Sequence, residues 1–325
     1  MERMPRRNRG AEFRMTSIAK GGRRRSRLLL NYRQNRLLYW MLLPSVIYVL
    51  IFNYLPMAGL AMAFQDYSLT RGIFGSKWVG LKNFRDFFTG IYFTRTLSNT
   101  LILSLLDLLI CFPAPIVLAL MLNEVQALRY KKVIQTVSYI PHFISMVVAA
   151  GLIKEFTNST GVIANLVTAL GGTPKSYISL PQYFRSIFTV SQVWQTIGFN
   201  SIIFLAALSG IDQELYDAAR IDGASRPQQL WHVTLPGIAS TIIIMLILRC
   251  GAIMNVNFDK VLLLYMPLTY DTADCLHTYT YRMAFGGMPD YSLSTASGLF
   301  QSVIATALLI FSNWANKKAT GYALY

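Results

Sequence analysis

Residues 211–238 read IDQELYDAARIDGASRPQQLWHVTLPGI, and they join two apolar runs long enough to cross a membrane. Asp212, Glu214, Asp217 and Asp222 place 4 of the chain's 15 acids within 11 residues, so the segment is an acidic knob. Good helix formers and the absence of proline predict a helix over Asp212 to Asp222. Gly223 supplies a left-handed stop just beyond it. Ser225 is expected to cap a second helix, with Pro227 in its first turn and Gln228 closing a capping box. Pro236 is expected to end that helix and turn the chain back into the membrane. On the first helix Glu214, Asp217 and Ile221 share one face, and Leu215, Ala218, Ala219 and Asp222 share another. The two alanines suit close approach of a partner's backbone, and the acids suit a basic partner. The same pattern also fits an interfacial helix-turn-helix with no partner.

Outward from this segment the chain is apolar. Of 325 residues 54% are hydrophobic and 14% charged, where a soluble domain carries about 25% charged residues. A charge in hydrocarbon costs about 2.5–3.5 kcal/mol even on the lenient insertion scale. The composition therefore describes an integral membrane protein. Six runs qualify as spanning helices of about 20 residues: 40–64, 97–122, 133–153, 186–210, 237–258 and 293–315. They make an all-α, six-span domain over residues 37–316, with a cytoplasmic segment at 211–236. The first run has 25 residues without a charge, too long for the apolar stretch of a cleaved signal peptide. The fourth is polar enough to predict burial against other helices or a cavity wall.

Charge sets the orientation. Residues 1–36 hold 12 of the chain's 30 basic residues and form a basic tail ahead of the first span. Such a block holds a terminus in the cytoplasm and favours anionic lipid headgroups, and it accounts for much of the net charge of +15 without nucleic acid. Removing the tail abolishes the loop asymmetry. The expectation that both termini, including the short C-terminal segment 317–325, are cytoplasmic rests on the tail and on span parity.

Candidates for a solute pathway lie in the fourth and fifth runs. Arg249 falls inside an apolar run, where a cation needs a partner or water. Three readings stay open: it lines a cavity, it pairs across a subunit interface, or it snorkels. Asp107 is the only acid inside another span. Asn255 and Asn257 follow Arg249, and Gln192, Trp194, Gln195 and Asn200 sit on the fourth run. Amides beside a Trp suit a sugar, and they equally hold helices together. A guanidinium at the pathway would favour a carboxylate-bearing sugar.

Enzyme signatures are missing from the sequence. His142, His232 and His277 have no metal-ligand spacing, and no metal site is expected. Cys111, Cys250 and Cys275 form no CxxC. Gly171 to Ser176 resembles a phosphate loop but lacks the glycine before Lys175, and Pro174 removes a backbone donor. No catalytic residue is expected. The aromatic residues of 259–292, Tyr265, Tyr270, Tyr279, Tyr281 and Tyr291, read as an interfacial belt in preference to a binding site.

Asp217-Ala218-Ala219, Gly223-Ala224 and Val233-x-Leu235-Pro236 resemble the EAA motif of ABC-importer permeases, with Asp217 in place of the usual Glu. Trp78 to Phe84 resembles the outer segment after the first span in sugar permeases, and Ile140 to Ser145 and Phe258 to Tyr265 resemble the polysaccharide and oligosaccharide branch, nearest to permeases of alginate-type importers. The resemblance covers roughly residues 38–316. It implies the type I importer transmembrane fold in a bacterial inner membrane, with Asp217 to Gly223 as a coupling helix seated on an ATPase, Glu214 and Ala224 beside it in the coupling segment, and Leu235-Pro236 closing the motif. It also implies a second permease subunit, two ATPase subunits that bind ATP and Mg, and a solute-binding protein that delivers an oligosaccharide. An ion-coupled secondary transporter and a membrane-bound enzyme are the rival readings. The lack of half-repeat symmetry and of a catalytic cluster argues against them.

Overall fold

The computed structural model describes residues 35–320. The basic tail lies almost wholly outside the described residues, as do residues 321–325. The chain divides into two compact units, Met1–Ala58 and Gly59–Tyr325. In the first, α1 (Arg36–Val49) runs into a π turn at Leu50–Tyr54, and neither buries a residue. That suits an apolar helix whose surroundings are lipid.

In the second unit a short hairpin pairs Gln65 with Trp78 and precedes α2 (Lys82–Thr89). The next span combines α3 (Phe93–Leu106), a π turn at Asp107–Cys111 and α4 (Pro113–Glu124). Then come α5 (Leu128–Tyr139), α6 (Met146–Thr157), α7 (Val162–Ala169) and the 29-residue α8 (Pro181–Ser209). The short α9 (Gln213–Ile221) and α10 (Arg226–Gln229) follow. A π turn at Leu230–Thr234 leads into α11 (Leu235–Gly251). The chain closes with α12 (Phe258–Leu264), α13 (Leu276–Phe285) and α14 (Tyr291–Thr320).

Three π turns share one cause. A proline inside a helix lacks its N–H, and its ring collides with the carbonyl four residues back. For Pro56, Pro113 and Pro236 that carbonyl belongs to Phe52, Leu109 and His232, each the middle residue of a π turn. The residue before each proline bonds five back: Leu55 to Leu50, Phe112 to Asp107 and Leu235 to Leu230. The widened turn moves the carbonyl aside, and the helix continues.

This corrects the expectation for Pro236. The proline does not end a helix; Arg226–Gly251 is one helical span of 26 residues, starting well before 237. Its other end also differs, because the helix stops at Gly251 rather than 258. Ala252 turns back on the Leu248 and Arg249 carbonyls, and the Asn257 side chain accepts from the Lys260 N–H to start α12. Asparagine competes for backbone groups in this way, so it favours caps over helix interiors. Arg249 therefore stands in the last turn of α11, where a cation also meets the negative helix end.

The run 133–153 is not one straight span. Leu128–Phe143 and Met146–Ala169 meet at 101°. Pro141 sits in a tight turn at Ile140–Phe143, and Ser145 caps α6 by accepting from the Val148 N–H. Four helices are long and apolar enough to span, and the number rises to six when each of the two bent pairs is counted as one span.

The core sits around α8, which touches the second span, α5 and α11. Its polar residues Thr189, Ser191, Gln192, Gln195 and Ser201 are buried, as their presence in an apolar run predicts. Gly198 lets the α5 backbone pass, since a Cβ there would run into the Ser138 carbonyl.

Candidate functional site

The segment 211–225 folds as a closed elbow. Asp212 caps α9 by accepting from the Glu214 N–H at 3.0 Å. Glu214 lies in the first turn and Arg220 in the last, the arrangement that suits the helix dipole. Gly223 has φ of +76°. The Gly223 N–H bonds the Arg220 carbonyl at 3.0 Å and the Ala224 N–H bonds the Ala219 carbonyl at 2.9 Å, which together form a Schellman stop. Gln228 Oε1 accepts from the Ser225 N–H at 2.7 Å and closes the expected capping box.

Two contacts tie the elbow to the spans. The Tyr216 hydroxyl meets Thr234 Oγ1 at 3.0 Å, inside the π turn of the fifth span. The Gln229 amide donates to the Ala224 carbonyl at 2.9 Å. Glu214, Asp217, Ala218, Asp222 and Gly223 are exposed, while Ala219 and Ala224 are half-buried against the rest of the chain. Asp217 and Arg220 pair at 3.1 Å on the surface, a contact of small energetic value. Ile221 is 87% exposed. The elbow thus presents acids, small residues and two exposed aliphatic side chains, Leu215 and Ile221, on a frame bent 68° from α8. Leu235 and Pro236 belong to the fifth span behind it.

A second feature lies deeper. A cavity of about 200 Å³ is lined by Ser104, Asp107, Leu108, Gln192, Arg249, Ala252, Ile253, Asn255, Val256 and Asn257. Four of the seven pathway candidates, Gln192, Arg249, Asn255 and Asn257, therefore meet there. Arg249 Nη2 donates to Asp107 Oδ1 at 2.5 Å, joining the fifth and second spans across the cavity. The π turn that accommodates Pro113 begins at Asp107. Of the three readings for Arg249, its position matches the cavity wall, and its ion-pair partner is in the same chain.

The other three candidates stand elsewhere. Trp194 lines an apolar groove with Leu152, Phe156 and Ile163. Gln195 is buried, and Asn200 is half-buried away from the cavity. Sequence reasoning missed Lys260, which is fully buried in α12. Its Nζ donates to Gln192 Oε1 at 3.0 Å, and Asn257 Nδ2 donates to the same oxygen at 2.9 Å. Burial pushes the Lys260 ammonium down to about 8, with Cys111 and Asp107 acting in the opposite direction. The available signal was a lysine three residues after a capping asparagine, which places its side chain back over that cap.

The tyrosines expected as a belt divide. Tyr92, Tyr270 and Tyr279 surround Arg282, with the guanidinium 4.9 Å from the Tyr270 ring centre. Arg282 grips the buried Asp274 with two hydrogen bonds, of 3.0 and 2.8 Å. Tyr279 is buried there. Tyr281 is exposed, and Tyr291 packs edge-on against Tyr67. Tyr270 and Tyr279 therefore serve an ion pair inside the protein rather than an interfacial belt. Among the described residues no group of His, Cys, Asp and Glu is arranged to hold a metal.

Comparison with known proteins supplies the frame for both features. The chain is 45% identical to Protein LplB of Bacillus subtilis over 287 residues, 88% of this chain and 90% of that protein. It is 41% identical over 303 residues to the polygalacturonan/rhamnogalacturonan transport system permease protein YteP of the same organism, covering 93% and 94%. Two solved structures superpose at 42% identity. One is a bacterial ABC transporter involved in the import of the acidic polysaccharide alginate, with a TM-score of 0.84 over 90% of this chain and 99% of that chain. The other is the alginate ABC transporter in complex with an alginate pentasaccharide-bound periplasmic protein, with a TM-score of 0.85 over 92% and 100%. Likeness of this extent gives the chain the helical permease fold of the ABC importers. A family model matches residues 87–318, and the chain belongs to the binding-protein-dependent transport system inner membrane components.

Proposed function

We propose that the chain is one of two permease subunits of an ATP-driven importer that brings an acidic oligosaccharide into the cell. Family membership makes it a membrane transport component. The acidic cargo rests on one observation, the Arg249 guanidinium on the wall of a polar cavity between spans. Two relatives point the same way, because polygalacturonan and alginate are both polymers of uronic acids.

The elbow is the coupling element in this reading. A separate ATPase subunit binds ATP and Mg and seats α9 in a groove on its surface. A second permease completes the pathway, and a solute-binding protein delivers the sugar from outside. Both termini face the cytoplasm, on the side of the elbow. Closure of the ATPase pair would move α9, and the Tyr216 and Gln229 contacts would carry that motion into α11, whose last turn holds Arg249. A free-energy link of this kind requires different contacts in the two end states, so the elbow must meet the ATPase differently in each.

The test is uptake by the complete transporter in proteoliposomes. Entry of a uronate oligosaccharide should require ATP and should persist when an uncoupler collapses the ion gradient. Uptake that survives ATP depletion and stops with the uncoupler would return the ion-driven alternative.

A further inference from the structure

The fully buried Lys260 gives the cavity a charge that Arg249 alone would not. An ammonium offers three donors, and this one has a single hydrogen-bond acceptor among the described residues, the Gln192 oxygen at 3.0 Å. No carboxylate stands within ion-pair distance of it there; Asp107 is held by Arg249, and the neighbouring Asp259 is exposed. Asp107 and Arg249 cancel, so Lys260 leaves this part of the protein one positive charge in excess. A buried cation without a counterion is costly, which favours a site that receives an anion from outside.

The charge reaches the cavity through an amide of fixed orientation. Lys260 Nζ and Asn257 Nδ2 can only donate, so the Gln192 atom facing both must be its oxygen. The Gln192 NH₂ then points away from them, and it has no acceptor among the described residues. Gln192 and Arg249 both line the cavity, so donors from α8 and α11 converge on it.

We propose that Lys260, acting through Gln192, is the anion-selecting element of the pathway, and that the cavity takes the carboxylate of one uronate ring beside Arg249. Asp107 occupies Arg249 when no sugar is present. Lys260 is a positioning residue, since the Gln192 amide and Arg249 are the groups that meet the sugar. This rests on the acidic-cargo reading above and adds the residues that enforce it.

The experiment compares two probes of equal length and ring, an oligogalacturonide and its fully methyl-esterified form, with the complete transporter in proteoliposomes. Wild type should prefer the acid by about tenfold or more, the scale of hydrogen bonds to a charged group. K260M should lose most of that preference through a higher KM for the acid, with uptake of the ester unchanged. Q192E should lose it as well, because its carboxylate neutralises Lys260 and turns an acceptor toward the cavity. This variant gives the buried ammonium a counterion, so it is the one expected to assemble normally. A K260M that lowers acid and ester uptake equally, or a Q192E that keeps the acid preference, would overturn the role of Lys260. A wild type with no acid preference would instead sink the acidic-cargo reading itself.

Discussion

The elbow and the cavity are built by opposite means. Every bond that shapes the elbow joins residues within five positions of each other: Asp212 to Glu214, Gly223 to Arg220, Ala224 to Ala219 and Ser225 to Gln228. The bonds that shape the cavity span 142 positions for Asp107 and Arg249, and 68 for Gln192 and Lys260. The ends of the elbow helix and the stop after it are set by residues of the segment itself. The cavity exists only once α3, α8 and α11 are packed. A local frame suits a part that must move as a unit, whereas a shared frame suits one that must respond to the relative position of helices.

The largest expected effect tests whether the elbow moves as a unit. In Gly223→Asp, uptake and stimulation of the ATPase should fall by about a hundredfold or more, the scale on which loss of coupling separates two states. Assembly in the membrane should remain, because Asp tolerates a left-handed backbone better than most residues and the turn is exposed. Uptake, ATPase stimulation and thermal stability measured on one preparation check this. Near-normal transport would show that the exposed face of the elbow transmits nothing.

The next effect concerns the cavity. Arg249→Ala should reduce uptake of an acidic oligosaccharide about tenfold, since one charge-assisted pair is removed. It should also lower the melting temperature, because Asp107 would stay largely buried without its cation. The double variant Asp107→Asn with Arg249→Gln should recover stability and leave uptake low. If the double variant recovers both, the ion pair only holds spans together, and the contrast between a moving elbow and a recognising cavity dissolves.

These two regions were unequally legible from sequence, and for the same reason. Asp212, Gly223, Ser225 and Gln228 each announce a local rule, so the ends of α9 and the stop after it could be read directly. Pro236 obeys a rule whose outcome depends on whether the turn before it widens, and its π turn carried the helix onward. The apolar run 133–153 contained its own breakers, Pro141 and Ser145, which hydropathy alone overrides. In the cavity, residue type marked Arg249 and Gln192 as misplaced in an apolar run but named no partner. Lys260 escaped notice because it lies beyond the span, and only packing of α12 buries it.

A smaller effect probes the junction between the regions. Tyr216→Phe removes one hydrogen bond, to Thr234, whose net worth is about 1 kcal/mol. Stability should change little. If that bond carries motion into the fifth span, the variant should hydrolyse ATP at the wild-type rate and transport about two- to fivefold less sugar per ATP. An unchanged ratio of sugar to ATP would place the mechanical link at Gln229 or in the chain itself.

The smallest expected effect is at Trp194. A Trp beside amides on a polar span suits sugar stacking, and sequence alone favoured it as much as Gln192. The two side chains are two positions apart, which on a helix of 3.6 residues per turn places them on different faces. Gln192 meets the cavity, and Trp194 meets Leu152, Phe156 and Ile163 in an apolar groove. Trp194→Ala should therefore alter uptake by less than about twofold, since it removes no group from the cavity wall. A loss comparable to that of Arg249→Ala, with assembly unimpaired, would move the sugar path to the other face of α8. The cavity between α3 and α11 would then be a polar joint between helices.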